Sequence, residues 1–330
     1  MSRAFPWLVL LFVSVMAGVA YVFIKYLVGY VAPVDLLVLQ FVPVSIVSLV
    51  LIFLFYRATA GKVVRGYWWF FIIREALAVL GFQLTLLYGE SVLPAGIAAM
   101  IVGIWPVITV LIALPILGER LTASKLAGGL LAFAGAAAVV HLGARGEAAM
   151  HQVSPQQWIA YSLLLLAAAA SAALVTVMTR WFLSRSDESE EIDSFLFTLL
   201  ARSPGGFFAL IVYWLIPHSG FLVDRLTGAP TLFWVLLGVL AFYNSLIGFW
   251  LWNWTLQRLQ AGNVASFTYV QTFFAVLVAW IFLAEGLSLL KILGVIAIVG
   301  GVLIANVEAG GFMPNRRGRA IIREPITPGH

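Results

Sequence analysis

Four ionisable side chains, Lys25, Arg74, Glu75 and Arg202, fall inside or at the edge of long apolar stretches of the sequence. A charge in hydrocarbon is expensive, so such residues face a partner or a polar path rather than lipid. Counted from the inner ends of their stretches, Glu75 and Arg202 each lie about 12 Å deep, and Gln271 falls in the same layer. As a polar belt the three suit a zwitterion, Arg202 taking a carboxylate and Glu75 an ammonium. A buried structural ion pair, Glu75 with Arg202 or Arg74, is the competing reading, and removing one partner of such a pair costs several kcal/mol. Lys25, near the outer end of its stretch, is expected to reach toward headgroups.

Aromatic side chains supply the second chemistry. Trp105, Tyr243 and Tyr269 lie near mid-membrane beside Asn244 and Gln271, too deep for an interfacial belt. They either wall a flat or cationic ligand or simply pack helices together. Trp68, Trp69, Trp252 and Trp254 fit an interfacial belt. Pro106 lacks an N–H and so frees a backbone carbonyl next to Trp105, a place for a flexible gate. Glu119 and Glu285 lie in tight turns, where a carboxylate caps the helix that follows.

Other chemistries are missing. Cysteine is absent, which excludes thiolate catalysis and thiolate metal sites. His141, His151, His218 and His330 share no metal-ligand spacing, and no Walker-type phosphate loop occurs. No enzyme, metal or cofactor is expected. Proton coupling through Glu75 is open, without support from a histidine or a paired carboxylate.

The elements that position these residues follow from composition. Of 330 residues 63% are hydrophobic and only 10% charged, against roughly 25% charged in soluble domains. Since a spanning helix takes about 20 apolar residues, an all-α polytopic membrane protein of about ten transmembrane helices is expected. The apolar runs are Pro6–Val28, Val34–Phe55, Tyr67–Tyr88, Leu93–Leu117 and Thr122–Leu142, then Gln157–Met178, Ser194–Ile216, Pro230–Leu256, Gly262–Leu283 and Leu287–Asn306. The first is too long for a signal peptide and is read as retained. Thirteen Lys/Arg, Arg57, Lys62 and Arg65 among them, fall on the side of the N-terminus, against Arg145, Arg225 and Lys291 on the other. Both termini are therefore expected in the cytoplasm, with the protein multi-pass in the inner or plasma membrane. The basic tail, 307–330, reads as a disordered anchor near anionic lipid rather than a nucleic-acid arm.

Sliding the chain by 166 positions aligns Leu93–Gly135 with Leu259–Gly301, with 13 of 43 residues identical. Ala95/Ala261, Gly96/Gly262, Glu119/Glu285 and Lys125/Lys291 are among the identities. Spans four and five thus repeat as nine and ten. The chain divides into a first five-helix repeat, 1–145, and a second, 146–306. Because five is odd, the halves enter the membrane from opposite faces, an inverted repeat of the kind that builds alternating-access carriers. The Gly-rich fifth and tenth spans, with Gly128-Gly129 and Gly300-Gly301, suit peripheral packing or a dimer contact.

Pro94-Ala95-Gly96-Ile97-Ala98-Ala99, Trp105-Pro106 and Leu117-Gly118-Glu119-Arg120-Leu121-Thr122, with the second copies Trp252-Asn253-Trp254-Thr255-Leu256, Gln260-Ala261-Gly262 and Leu283-Ala284-Glu285-Gly286-Leu287-Ser288, resemble an EamA-type member of the drug/metabolite transporter superfamily. Gly18 and Lys25 also match. Around Gly18 the family's usual Trp and Ser/Asn are replaced by Ala17, Val19 and Ala20. Gln40 stands where an Arg is common, Arg202 occupies its counterpart in span seven, and Gln271-Thr272 replaces a Pro. The resemblance implies transport of a small organic solute, with export as the direction.

The expected function is secondary transport of a small amphipathic metabolite, an amino acid or aromatic amino-acid-like compound, by a monomer or homodimer. The alternative is an organic-cation or drug exporter with Glu75 as counter-ion in an aromatic pocket. An embedded enzyme or scaffold is the remote alternative.

Overall fold

A computed structural model describes residues 5–117, 152–186, 192–216, 228–259, 267–286 and 289–307, with isolated positions between 124 and 141 and at 226 and 264. Glu119, most of span five and the tail lie outside the described residues. Among those described the chain is all helical, as a backbone crossing lipid must be to satisfy its own N–H and C=O groups. Six helices are long and apolar enough to cross a membrane, and two shorter apolar helices, Val270–Phe282 and Ile292–Gly301, follow.

Helix α1 runs Phe5–Leu27 and α2 starts at Pro33, the ring suiting a first helical turn. The loop expected between spans two and three is helical instead. A π-helical turn, Ile52–Tyr56, leads into α3, Arg57–Ala76, with non-helical backbone only at Tyr56 and Tyr67. The segment between those kinks buries Ala60 and Val63 against Phe182 and Phe197 and exposes Arg57, Lys62 and Arg65. Burial of one apolar face explains why it stays helical. A second π segment, Leu77–Leu84, continues into α4, Thr85–Val92.

Span four is two helices, α5 (Ala95–Val102) and α6 (Trp105–Leu117). Span six is α7, Pro155–Ser186. Span seven also breaks, into α8 (Ser194–Arg202) and α9 (Gly205–Leu215), because Pro204 cannot continue the ladder. Asp193 starts α8 by accepting the Leu196 N–H at 2.7 Å. Span eight comprises α10 (Thr231–Gly238), a third π segment (Val239–Gly248) and α11 (Phe249–Arg258). Helices α12 (Thr268–Phe282) and α13 (Leu289–Val307) complete the described chain.

Helix α1 packs along α12 and α2 along α9. Helix α7 packs along α6 and the π segment 77–84, while α1 also meets α11 and the π segment 239–248. Gly18 makes the first contact close: a Cβ there would stand 2.4 Å from the Gln271 carbonyl oxygen. Helix α13 is peripheral, with Leu289, Leu293 and Ile296 largely exposed.

Candidate functional site

The irregular parts of spans three, seven and eight gather around one cluster of charge. Phe70 and Phe71 are buried against Phe182 and Phe197, the Phe70 and Phe182 rings 4.7 Å apart. One helical turn later this same face carries Arg74 and Glu75 into the interior. Glu75 is fully buried, and each of its oxygens has a guanidinium partner. Oε2 accepts from Arg74 Nη1 at 2.7 Å and Oε1 from Arg202 Nη1 at 2.9 Å. Both alternatives for the ion pair are thus present at once, with Glu75 shared.

Arg202 is the last residue of α8, at the negative end of that helix, and its Nε donates to the Ser245 carbonyl at 2.9 Å. Arg74 Nε donates to Thr179 Oγ1 at 3.2 Å. Both guanidinium groups lie against the Phe249 ring, 3.8 Å from its centre for Arg202 and 4.7 Å for Arg74, a desolvated cation–π arrangement. Gly205 leaves room for the carboxylate, since a Cβ would stand 3.1 Å from Glu75 Oε1 and 2.9 Å from the Phe41 ring. Ser45 donates to the Ser203 carbonyl and so ties α2 to the break in span seven.

The network extends further than sequence predicts. Gln83 Nε2 donates to Gln40 Oε1 at 3.2 Å, and Gln40 Nε2 donates to Ser245 Oγ at 2.7 Å. Gln40, Gln83 and Ser245 are all buried. Gln40 is marked in the sequence only by the resemblance, whereas the signal for Gln83 and Ser245 is an uncharged polar side chain in an apolar run, too common to single them out.

A cavity of about 40 Å³ adjoins Arg74. Trp105, Phe82, Phe249 and Trp252 provide its aromatic wall, and Asn253 a polar one. Trp105 stacks obliquely on Phe82 and Trp252, ring centres 6.2 and 5.8 Å away. Trp252 is therefore not an interfacial belt residue: at 8% exposure it faces the cavity. On α11, Phe249, Trp252, Asn253 and Leu256 share one face by the 3.6-residue period, and that face turns inward. Trp254 points the other way, with Arg258 over its ring at 3.9 Å, and Trp68 and Trp69 are exposed, as expected at an interface.

The remaining candidates lie elsewhere. Gln271 is buried but bonds to the Tyr21 hydroxyl at 3.4 Å, joining α12 to α1 rather than to Glu75 and Arg202. Tyr243 and Asn244 are half-buried in the third π segment, the Tyr243 ring edge-on to Phe12. The side chain of Tyr269 lies outside the described residues. Pro106 is buried in the first turn of α6, just past the break at Gly103 and Ile104. The Thr272 hydroxyl fills that break, sharing its hydrogen between the Ala99 carbonyl at 3.3 Å and the Thr268 carbonyl at 3.2 Å.

One expectation about a charged residue needs correction. Lys25 does not reach outward: its Nζ donates to the carbonyls of Glu90 at 2.7 Å and Leu93 at 2.9 Å. The last carbonyls of α4 have no helical partners and carry its negative dipole end, so they hold the ammonium within the protein. Glu285 caps α5, its oxygens accepting from the Ala95 N–H at 2.7 Å and the Gly96 N–H at 3.1 Å; residues 287–288, which lead into the helix after it, lie outside the described residues. Helix α5 begins after Pro94 with no capping side chain of its own, and the long-range carboxylate supplies one. Replacing Glu285 by alanine is expected to cost about 1–2 kcal/mol, seen as a lower melting temperature of the purified protein.

The model of one protein family matches residues 5–141 and again residues 159–307. The chain belongs to the EamA-like transporter family. A probable terminal-alkyne amino-acid exporter from Streptantibioticus cattleyicolor is 30% identical over 262 residues, 77% of this chain and 75% of that one. An uncharacterized transporter of Bacillus subtilis, YvbV, is 28% identical over 73% of each chain. A crystal structure at 19% identity superposes with a TM-score of 0.66, covering 94% of this chain and 99% of its own, and shares the fold. This EamA-like protein is a multi-pass membrane transporter rather than an enzyme.

Proposed function

We propose that this EamA-like transporter is a secondary carrier of the cytoplasmic membrane. In this reading it exports a small amphipathic metabolite, an amino acid or an aromatic amino-acid-like compound. The observation that carries it is the buried Arg74–Glu75–Arg202 cluster, bonded at 2.7 and 2.9 Å and opening on an aromatic cavity. A charged network of this kind, at the irregular middle of several helices, is where carriers bind polar groups. The name of the Streptantibioticus cattleyicolor relative, an amino-acid exporter, lends support.

Movement follows from two inverted five-helix halves. Their exchange would turn the packing of α1 on α12 into that of α7 on α6, and the α7 contact with 77–84 into the α1 contact with 239–248; both members of each pair occur. The Glu75–Arg202 bond joins span three to span seven and so crosses between the halves. With both oxygens held by guanidinium groups, Glu75 serves as the counter-ion of Arg74 and Arg202. Both termini face the cytoplasm, on the Lys/Arg asymmetry.

Counterflow into proteoliposomes, against a panel of amino acids and organic cations with and without a pH gradient, tests the proposal. Exchange of amphipathic amino acids is expected. Exchange of none of the solutes would end the carrier reading.

A further inference from the structure

We propose that the cavity beside Arg74 is a built seat for the carboxylate end of a zwitterionic or anionic solute, with Arg74 and Trp105 as donors and Asn253 as acceptor. This rests on the transporter reading and narrows its substrate class.

Charge comes first. Arg74, Glu75 and Arg202 touch one another in the buried interior, two positive groups around one negative, which leaves an excess of one positive charge. An uncompensated buried charge is costly, so an anion that reaches it gains and a cation is repelled. Each Glu75 oxygen already accepts from a guanidinium, so its charge is shared between two cations. Glu75 is therefore a poor receptor for a solute's ammonium group.

The unmade hydrogen bonds come next. Arg74 commits Nε to Thr179 and Nη1 to Glu75, while its Nη2 is buried without a partner. Trp105 Nε1 and Asn253 Oδ1 are also buried and unpartnered, and all three residues line the same cavity. The orientation of Asn253 follows from its neighbour. Thr198 spends its only hydrogen on the Ser194 carbonyl at 2.7 Å, so it can only accept from Asn253 Nδ2, at 2.9 Å. That leaves Oδ1 as the free end. A buried polar atom left unsatisfied is costly, and the three residues that carry these atoms meet at one cavity.

Two donors and one acceptor match a carboxylate with an adjacent N–H group: the carboxylate accepts from Arg74 Nη2 and Trp105 Nε1, and the ammonium donates to Asn253 Oδ1. A cavity of about 40 Å³ has room for about three waters, the scale of an amino-acid head group without its side chain. The aromatic wall of Phe82, Trp105, Phe249 and Trp252 then meets the apolar remainder of the solute.

The test uses the purified full-length protein in detergent. Binding is read from tryptophan fluorescence for L-phenylalanine, phenylpropionate, phenethylamine and phenylalaninamide, beside counterflow in liposomes. The two carboxylates are expected to bind at least tenfold more tightly than the amine and the amide. Arg74→Lys and Trp105→Phe, each of which keeps the charge or the ring, should weaken carboxylate binding at least tenfold, and Trp105→Phe should do so without lowering the melting temperature. Asn253→Asp, which cancels the excess charge, should shift preference toward the amine. Equal binding of amine and acid, no binding of any of the four, or carboxylate affinity unmoved by Arg74→Lys and Trp105→Phe would overturn the site. Counterflow of carboxylate-free solutes with those variants unaffected would overturn the site while leaving the carrier reading standing. Variant-sensitive carboxylate binding without counterflow of any solute would do the reverse.

Discussion

Replacing Glu75 by glutamine is expected to destabilise the protein by about 3–5 kcal/mol, the cost of leaving a buried charge without its partner. Glutamine keeps the shape of the side chain but not its charge. Arg74 and Arg202, now held 2.7 and 2.9 Å from the Glu75 oxygens, would face each other with no counter-ion between them. A fall in melting temperature of roughly 10 °C in detergent is the expected result. The companion variant carries Arg74→Met, Glu75→Leu and Arg202→Met together. Exchanging a whole buried ionic network for apolar side chains of similar volume is often neutral, so this protein should fold and melt near the parent temperature, yet fail in counterflow. Transport by the triple variant would reduce the cluster to a structural fastening. An unchanged melting temperature for Glu75→Gln would show that the network does not hold spans three and seven together.

Gly18→Val is the second large effect. The Cβ alone would stand 2.4 Å from the Gln271 carbonyl oxygen and 3.2 Å from the Ala275 nitrogen. These are backbone atoms of a packed helix, unable to swing aside as a side-chain tip does. Overpacking typically costs about 1–3 kcal/mol, and here the upper end is expected, since α1 must shift away from α12 along their shared contact. Loss of counterflow together with a lowered melting temperature is the expected outcome. Gly61→Ala is the control. It lies in an exposed helical position with nothing within 4 Å of the new Cβ, and helix propensity favours alanine there by up to about 1 kcal/mol. A melting temperature equal for Gly18→Val and wild type would show that the close approach of α1 and α12 is not required.

Much of the fold was legible because lipid imposes a simple code. A long apolar run must become a helix, so α1 begins one residue from its expected start and α8 at the expected residue. The code does not describe what happens within a run. Gly103 with Pro106 and Ser203 with Pro204 break spans four and seven, and π segments widen spans three and eight, all without leaving the apolar stretch. Nor does polarity alone end a helix. Residues 57–66 stay helical because Ala60 and Val63 have an aromatic cluster to pack against.

The amino-acid sequence by itself determined the class of molecule and the scarcity of its charge, and it singled out Glu75 and Arg202 as residues too costly to bury without a purpose. Tertiary structure alone decided how that charge is spent. Arg74, one residue from Glu75, was readable as a rival partner, but only packing shows it sharing the carboxylate with Arg202 while keeping one nitrogen free. Lys25 and Glu285 were readable as residues near span ends, yet their partners, the carbonyls of Glu90 and Leu93 and the amides of Ala95 and Gly96, lie 65 to 190 positions away. Hydropathy is a property of neighbours along the chain, whereas hydrogen-bond satisfaction is settled among neighbours in space, which is why the membrane code predicts the helices and leaves their polar contacts to the fold.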